Sequence, residues 1–181
     1  MTDQQSEYQR LIAPVEDRMM RAVWRITRDP ADAEDALQNA LLTVWKRWNR
    51  IRSHPNPHAL ILHICINAAH DVLRSRVREG KWIEGDAVLS EVPSSSPAAL
   101  EGVSETEQDA LVLRAIGRLP KNQARASLMH AVEEMPYGEV AAVMECREST
   151  VRKHVARARA TLRSLLSPWI SPARKEEGSH A

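Results

Sequence analysis

The segment from Tyr137 to Leu166, YGEVAAVMECRESTVRKHVARARATLRSLL, constrains this chain more than any other stretch. Val140, Ala141, Val143 and Met144 form one apolar helix face, with Ala141 small enough for a second helix to cross closely. Cys146 and Arg147 mark a turn, after which Val151, Val155, Ala158 and Leu162 recur every three or four residues. That recurrence is the apolar stripe of a helix packed on one side. Between the stripe residues stand Arg152, Lys153, His154, Arg157, Arg159 and Arg163. From Arg147 to Arg163 the chain carries six Arg or Lys against one acid, Glu148. A short helix, a tight turn and a longer helix with opposed apolar and cationic faces predict a helix-turn-helix. Such a helix suits the major groove of DNA, where phosphates attract it and Arg can pair with guanine edges. An ordinary solvated helix would account for the charge alone, though not for the small residue, the turn and Thr150-Val151 in this spacing. Glu145 stands at the turn position where glycine is usual, so its backbone is expected to take a left-handed conformation at some cost.

The remainder of the chain agrees with an all-helical protein. It has 181 residues, enough for one domain or two small ones, with six Gly, ten Pro and no Phe. No stretch shows a strand's period of two. Cys65 and Cys146 are far apart among helical residues, which gives no disulfide framework and points to a reducing cytoplasm. The N-terminus MTDQQSEYQR lacks the pattern of a signal peptide, and no run approaches the apolar length of a membrane span.

Net charge is +1, but its distribution is uneven. From Glu84 to Leu113 there are seven acids and no Lys or Arg. Arg74, Arg76, Arg78 and Lys81 lie before this stretch and the Arg-rich helix lies after it. Two basic ends joined by an acidic connector suggest two separate contacts with a polyanion. The same layout suits either a connector that draws the basic ends together in the unbound protein or one that merely solubilises the chain.

Leu11, Ile12, Val15, Met19, Val23 and Ile26 trace one amphipathic helix, with Pro14 tolerable near its start. Asp29-Pro30 and Asn56-Pro57 each read as a cap followed by proline at the first helical position. They open helices with Ala33, Leu37, Ala40, Leu41, Val44 and Trp48 inward, then Leu60, Ile61, Ile64, Ala68, Val72 and Leu73 inward. Residues 83–106, rich in Ser, Pro and acids, read as a flexible linker. Further helices follow from 107 and after Leu119-Pro120. The expected layout is a helical domain over 1–82, the linker, a helical domain over 107–167 containing the helix-turn-helix, and a tail over 168–181.

Asp29, Asp32, Glu34 and Asp35 crowd the start of the second of these helices. Carboxylates favour helix N-termini by about 0.3–1 kcal/mol each, which explains part of the cluster. With Gln38 and Asn39 they also make a surface suited to a basic partner.

Here the sequence resembles a known family. Ala33-Glu34-Asp35, Gln38, Leu42 and Trp45-Lys46 resemble the core-polymerase-binding helix of bacterial sigma factors. Ile64, Asn67, Asp71 and Arg74 resemble their −10 promoter helix, and Leu119-Pro120 with the helix-turn-helix resembles their −35 domain. The layout is similar to the extracytoplasmic-function subgroup, over residues 8–82 and 107–166. Leu41 and Leu60 stand where the family often has aromatics, Glu145 replaces the turn Gly and Arg147 a capping Ser.

The resemblance implies a protein that binds RNA polymerase core, guides it to promoter DNA and helps open the duplex. It implies polymerase contacts from Glu34, Asp35, Gln38, Asn39, Trp45 and Arg47, although Trp45 would equally suit a core. It implies −10 contacts from Asn67, whose amide can pair with a base edge, and from Asp71, with Arg74, Arg76 and Arg78 on phosphates. It implies −35 contacts from Arg152, Lys153 and Arg157, with Arg147, Thr150 and His154 toward the DNA backbone. An anti-sigma factor or another inhibitory partner clamped between the domains is also implied. No cofactor is expected: His54, His58, His63 and His70 fix no third ligand at tetrahedral spacing, and no phosphate-binding Gly loop or nucleophile set is present. Catalysis by the chain itself is therefore not expected. The alternative is a stand-alone helix-turn-helix regulator whose N-terminal helices dimerise or sense a ligand.

Overall fold

The computed structural model describes residues 3–80 and 105–170, and all its regular structure is helical. The N-terminal group contains α1 (Asp3–Ile12), a 3-10 turn (Ala13–Val15), α2 (Glu16–Thr27), α3 (Pro30–Lys46), α4 (Trp48–Arg52) and α5 (Pro57–Glu79). The C-terminal group contains α6 (Glu105–Arg118), α7 (Lys121–Ala131), α8 (Tyr137–Val143) and α9 (Glu148–Ile170).

Pro14 divides the first amphipathic segment. Its ring and missing N–H are incompatible with a continuous α-helix, and the 3-10 turn absorbs the break between α1 and α2. Ile12, Val15, Met19, Val23 and Ile26 nonetheless stay on one buried face. Both cap-proline signals behave as expected. Asp29 Oδ1 accepts the Asp32 N–H at 3.0 Å, and Asn56 Oδ1 accepts the Ala59 N–H at 3.1 Å. Gly80 ends α5 in the left-handed region, at φ 65°.

α5 organises the molecule. In its first half Leu60, Ile61, Leu62, Ile64, Cys65 and Ile66 are all buried. A helix that is apolar all round must be covered on all sides. α2 and α3 cover part of it, and α6, α7 and α8 pack on the remainder. One continuous core results, running from Ile12 to Ala158.

In the C-terminal group Val151, Val155 and Ala158 bury the expected stripe of α9 against α7 and α8. α9 continues past residue 167 to Ile170, and Trp169 is buried, so the expected tail begins inside a helix. α6 likewise begins within the expected linker, at Glu105; linker residues up to 104 lie outside the described residues.

Candidate polymerase and promoter surfaces

On α3 the residues expected to meet polymerase divide into two sets. Glu34, Asp35 and Gln38 are exposed, and Gln38 Nε2 donates to Glu34 Oε1 at 3.2 Å. Leu42 and Trp45 are 57% and 54% exposed, so Trp45 belongs to the surface, whereas Trp48 three residues on is buried. The exposed acids lie toward the start of α3 and the exposed apolar residues toward its end. Asn39 and Arg47 point elsewhere. Together with Thr43, at four-residue spacing, they line the groove between α3 and α5.

That groove is a cavity of about 450 Å³ whose opposite wall is Ile64, Asn67, Ala68, Asp71, Val72 and Ser75 of α5. Arg125 of α7 closes it from the C-terminal group. Asn67 Oδ1 is buried and has no hydrogen-bond partner among the described residues. Asp71 is held by Lys121 Nζ at 2.8 Å. Arg74 is half-buried and Arg78 exposed. Arg76 differs from both. It pairs with Asp32 at 2.6 Å, with both side chains 17% exposed, and so ties α5 to the start of α3. Burial raises the Asp32 pKa above its ordinary value, against the pull of Arg76.

The helix-turn-helix forms as the sequence predicts. Glu145 has φ 53°, and Cys146 N–H donates to Ala141 O at 3.0 Å across the turn. Arg147, Arg152, Lys153 and Arg157 are exposed. Thr150 and His154 are half-buried, and Thr150 N–H donates to Arg147 O at 2.8 Å. Arg152 packs over Tyr137 and pairs with Glu148.

The expected −35 face of α9 is open, but α5, expected to carry the −10 face, is packed against by the C-terminal group. His70 Nε2 donates to Ile116 O at 3.1 Å, and burial lowers the pKa of this imidazole to about 4. Arg18 pairs with Glu133 at 3.0 Å, and Arg25 Nη1 donates to Val132 O at 2.8 Å. Arg50 pairs with Glu145, so the unusual turn residue forms a contact between the two groups. Gly117 lies flush against Leu73 and Val77. His63 stands near Arg125, Arg47 and Arg50; burial first, then these cations, lowers its pKa to about 4. Sequence reasoning missed Arg18, Arg50, Gly117, Lys121, Arg125 and Glu133. Each is ordinary in its own helix, and its partner lies on a remote element.

Residues 11–79 match the family model described as Sigma-70 region 2, and residues 109–162 match Sigma-70, region 4. The chain belongs to the sigma-70 family of RNA polymerase sigma factors. The two regions fall on the two helical groups in chain order. Over 163 residues the chain is 28% identical to the "Probable RNA polymerase sigma factor RfaY" of Xanthomonas campestris pv. campestris, covering 90% of itself but 41% of that protein. It is 27% identical over 146 residues to the ECF RNA polymerase sigma-E factor of Escherichia coli K12, covering 77% and 76% of the two chains. With that likeness it falls in the extracytoplasmic-function subgroup. A solved structure of the sigma factor RpoE in complex with the anti-sigma factor NepR, from Bartonella quintana, shares the fold. Its TM-score is 0.52 at 22% identity, over 92% of this chain and 99% of that one. The stand-alone regulator is not favoured, because region 2 accounts for the N-terminal helices. Among the described residues no helix is long and apolar enough to cross a membrane.

Proposed function

We propose that this sigma factor engages RNA polymerase core through the α3 patch of Glu34, Asp35, Gln38 and Trp45, reads the −10 element from the α3–α5 groove, and reads the −35 element with α9. Trp45, exposed on the same helix as exposed Glu34 and Asp35, carries the first assignment. A large aromatic residue left exposed on a fold whose other large side chains are mostly buried has the character of an interface anchor.

In the groove, the unpartnered amide oxygen of Asn67 is available to an exocyclic amine of an unstacked base. Asn39, Arg47 and Asp71 flank it and belong with the −10 site in this arrangement. Arg74 and Arg78 hold phosphates, while Arg76, occupied by Asp32, aligns α5 with α3. On the C-terminal side Arg147, Thr150 and His154 lie toward the DNA backbone, and Arg152, Lys153 and Arg157 project from the open face of α9. Reading −10 requires the C-terminal group to leave α5. Binding to polymerase supplies that displacement, and an anti-sigma factor of the class seen with RpoE would oppose it. The chain performs no catalysis of its own in this scheme and resides in the cytoplasm.

The test is co-purification with core polymerase. Glu34→Lys with Asp35→Lys is expected to abolish it while helicity stays unchanged. Undiminished binding by that variant removes the α3 assignment.

A further inference from the structure

We propose that Arg152 is the base-reading residue of α9, and that Tyr137 and Glu148 are positioning residues that orient its guanidinium. The proposal rests on the assignment of α9 to the −35 element and deepens it. Tyr137 opens α8, the first helix of the helix-turn-helix, and its ring lies under Arg152 with Cζ 4.4 Å from the centroid. Behind that ring lies His130, at the end of α7, with centroids 4.1 Å apart and planes 25° from parallel. The His130 ring is itself tied, with Nδ1 2.9 Å from the Met135 carbonyl oxygen. Three groups from three helices therefore hold the guanidinium over the Tyr137 ring.

Its direction is set from the side. Glu148 Oε1 accepts from Arg152 Nε at 3.1 Å and from Nη2 at 2.5 Å. A guanidinium carries five N–H donors in a planar fork. Glu148 occupies the side edge, Nε with one hydrogen of Nη2. The end edge, with one N–H each from Nη1 and Nη2, remains for a ligand, and the side chain is 60% exposed. Two parallel donors at that edge match O6 and N7 of guanine in the major groove. Glu148 and Arg152 alone could be a pair that merely stabilises α9, since they stand at i,i+4. The stack on Tyr137, from another helix, is not explained that way.

Lys153 and Arg157 contrast with this. Among the described residues, no hydrogen bond or ion pair holds either side chain. A cation loose on its stem tolerates many angles, as phosphate contact allows and base reading does not.

The experiment uses holoenzyme, the full chain with polymerase core, on duplexes varied one base pair at a time through the −35 element, with random DNA as reference. Arg152→Ala is expected to lower the preference for one or two adjacent G·C pairs by about tenfold or more. Tyr137→Leu is expected to lower the same preference several-fold at unchanged affinity for random DNA, and Tyr137→Phe to retain it. Glu148→Gln lowers the same preference while affinity for random DNA stays or rises, because an acid has been removed. Added to Arg152→Ala, neither change has a further effect on preference. Lys153→Ala and Arg157→Ala weaken all sequences alike and reduce the salt slope by about one each. An unchanged preference in Arg152→Ala removes the base-reading assignment itself. Loss in Arg152→Ala with full preference in both Tyr137→Leu and Glu148→Gln overturns the positioning role alone. Should Tyr137→Leu fail to fold, Glu148→Gln on the surface decides by the same criterion.

Discussion

Replacing Gly117 is expected to separate the two helical groups without unfolding either. A Cβ added at this position would stand 2.8 Å from Val77 Cγ2 and 3.3 Å from the Leu73 carbonyl oxygen. Carbon atoms in ordinary contact sit about 3.5–4.0 Å apart, so the first overlap is roughly 1 Å. Val77 can rotate away, but the Leu73 carbonyl belongs to the backbone of α5 and cannot. Alanine should therefore cost the docked form about 1 kcal/mol, at the low end for overpacking. Leucine, whose branch meets α5 directly, should approach ~3 kcal/mol. The helix penalty of glycine, worth up to about 1 kcal/mol in a helix interior and less next to the end of α6, is relieved in both forms and so does not offset this cost. At about 1.4 kcal/mol per tenfold, Gly117→Ala shifts docking several-fold and Gly117→Leu by roughly a hundredfold. Small-angle scattering reads the radius, circular dichroism the helicity, and a single-stranded −10 oligonucleotide the access to Asn67. A Gly117→Leu protein with full helicity, the parent radius and unchanged oligonucleotide binding would refute the reasoning, because the docked form could not then depend on this contact.

Acid should also loosen docking. His63 and His70 are buried neutral with pKa values lowered to about 4, from an ordinary value near 6.5. The undocked or unfolded chain binds protons first, so the docked form keeps its full stability above about pH 6.5 and loses it as pH falls toward 4. The ceiling is about 3 kcal/mol per histidine; urea melts that coincide at pH 7 and pH 5 would contradict this. Arg50→Glu or Glu145→Arg should each open the molecule slightly in scattering, and the double exchange should restore it. The effect stays within about 1 kcal/mol and fades in salt, since both side chains are largely exposed. Glu145→Gly should raise the melting temperature of the helix-turn-helix by removing a left-handed non-glycine residue, worth about 1 kcal/mol, while weakening docking. Arg76→Ala should lower thermal stability by about 1–3 kcal/mol, because Asp32 is left half-buried without its cation, whereas Arg74→Ala and Arg78→Ala should spare stability and weaken DNA binding.

Much of this protein was determined locally and could be read from the sequence. Asp29-Pro30 and Asn56-Pro57 start helices because cap and proline act within one turn. The α9 stripe and its basic face follow from helical period alone, and the φ of Glu145 follows from the turn. Pro14 was harder, because propensity places it near a helix start without saying that a 3-10 turn will divide the helix in two. Other features required the tertiary structure. Trp48 was expected inward and is buried at the start of α4, but that Trp45, near the end of α3, is surface rather than core depends on where α5 passes. Asn39 and Arg47 line the groove with α5, and so are proposed for the −10 site, because α5 packs against one side of α3 only. Arg76 is proposed as an aligning rather than a phosphate-binding residue because Asp32, 44 residues earlier, reaches it. The covering of α5 by α6, α7 and α8 rests on an apolar run that calls for burial but names no partner. Helical periodicity specifies which face must be covered, and only packing among remote elements decides what covers it.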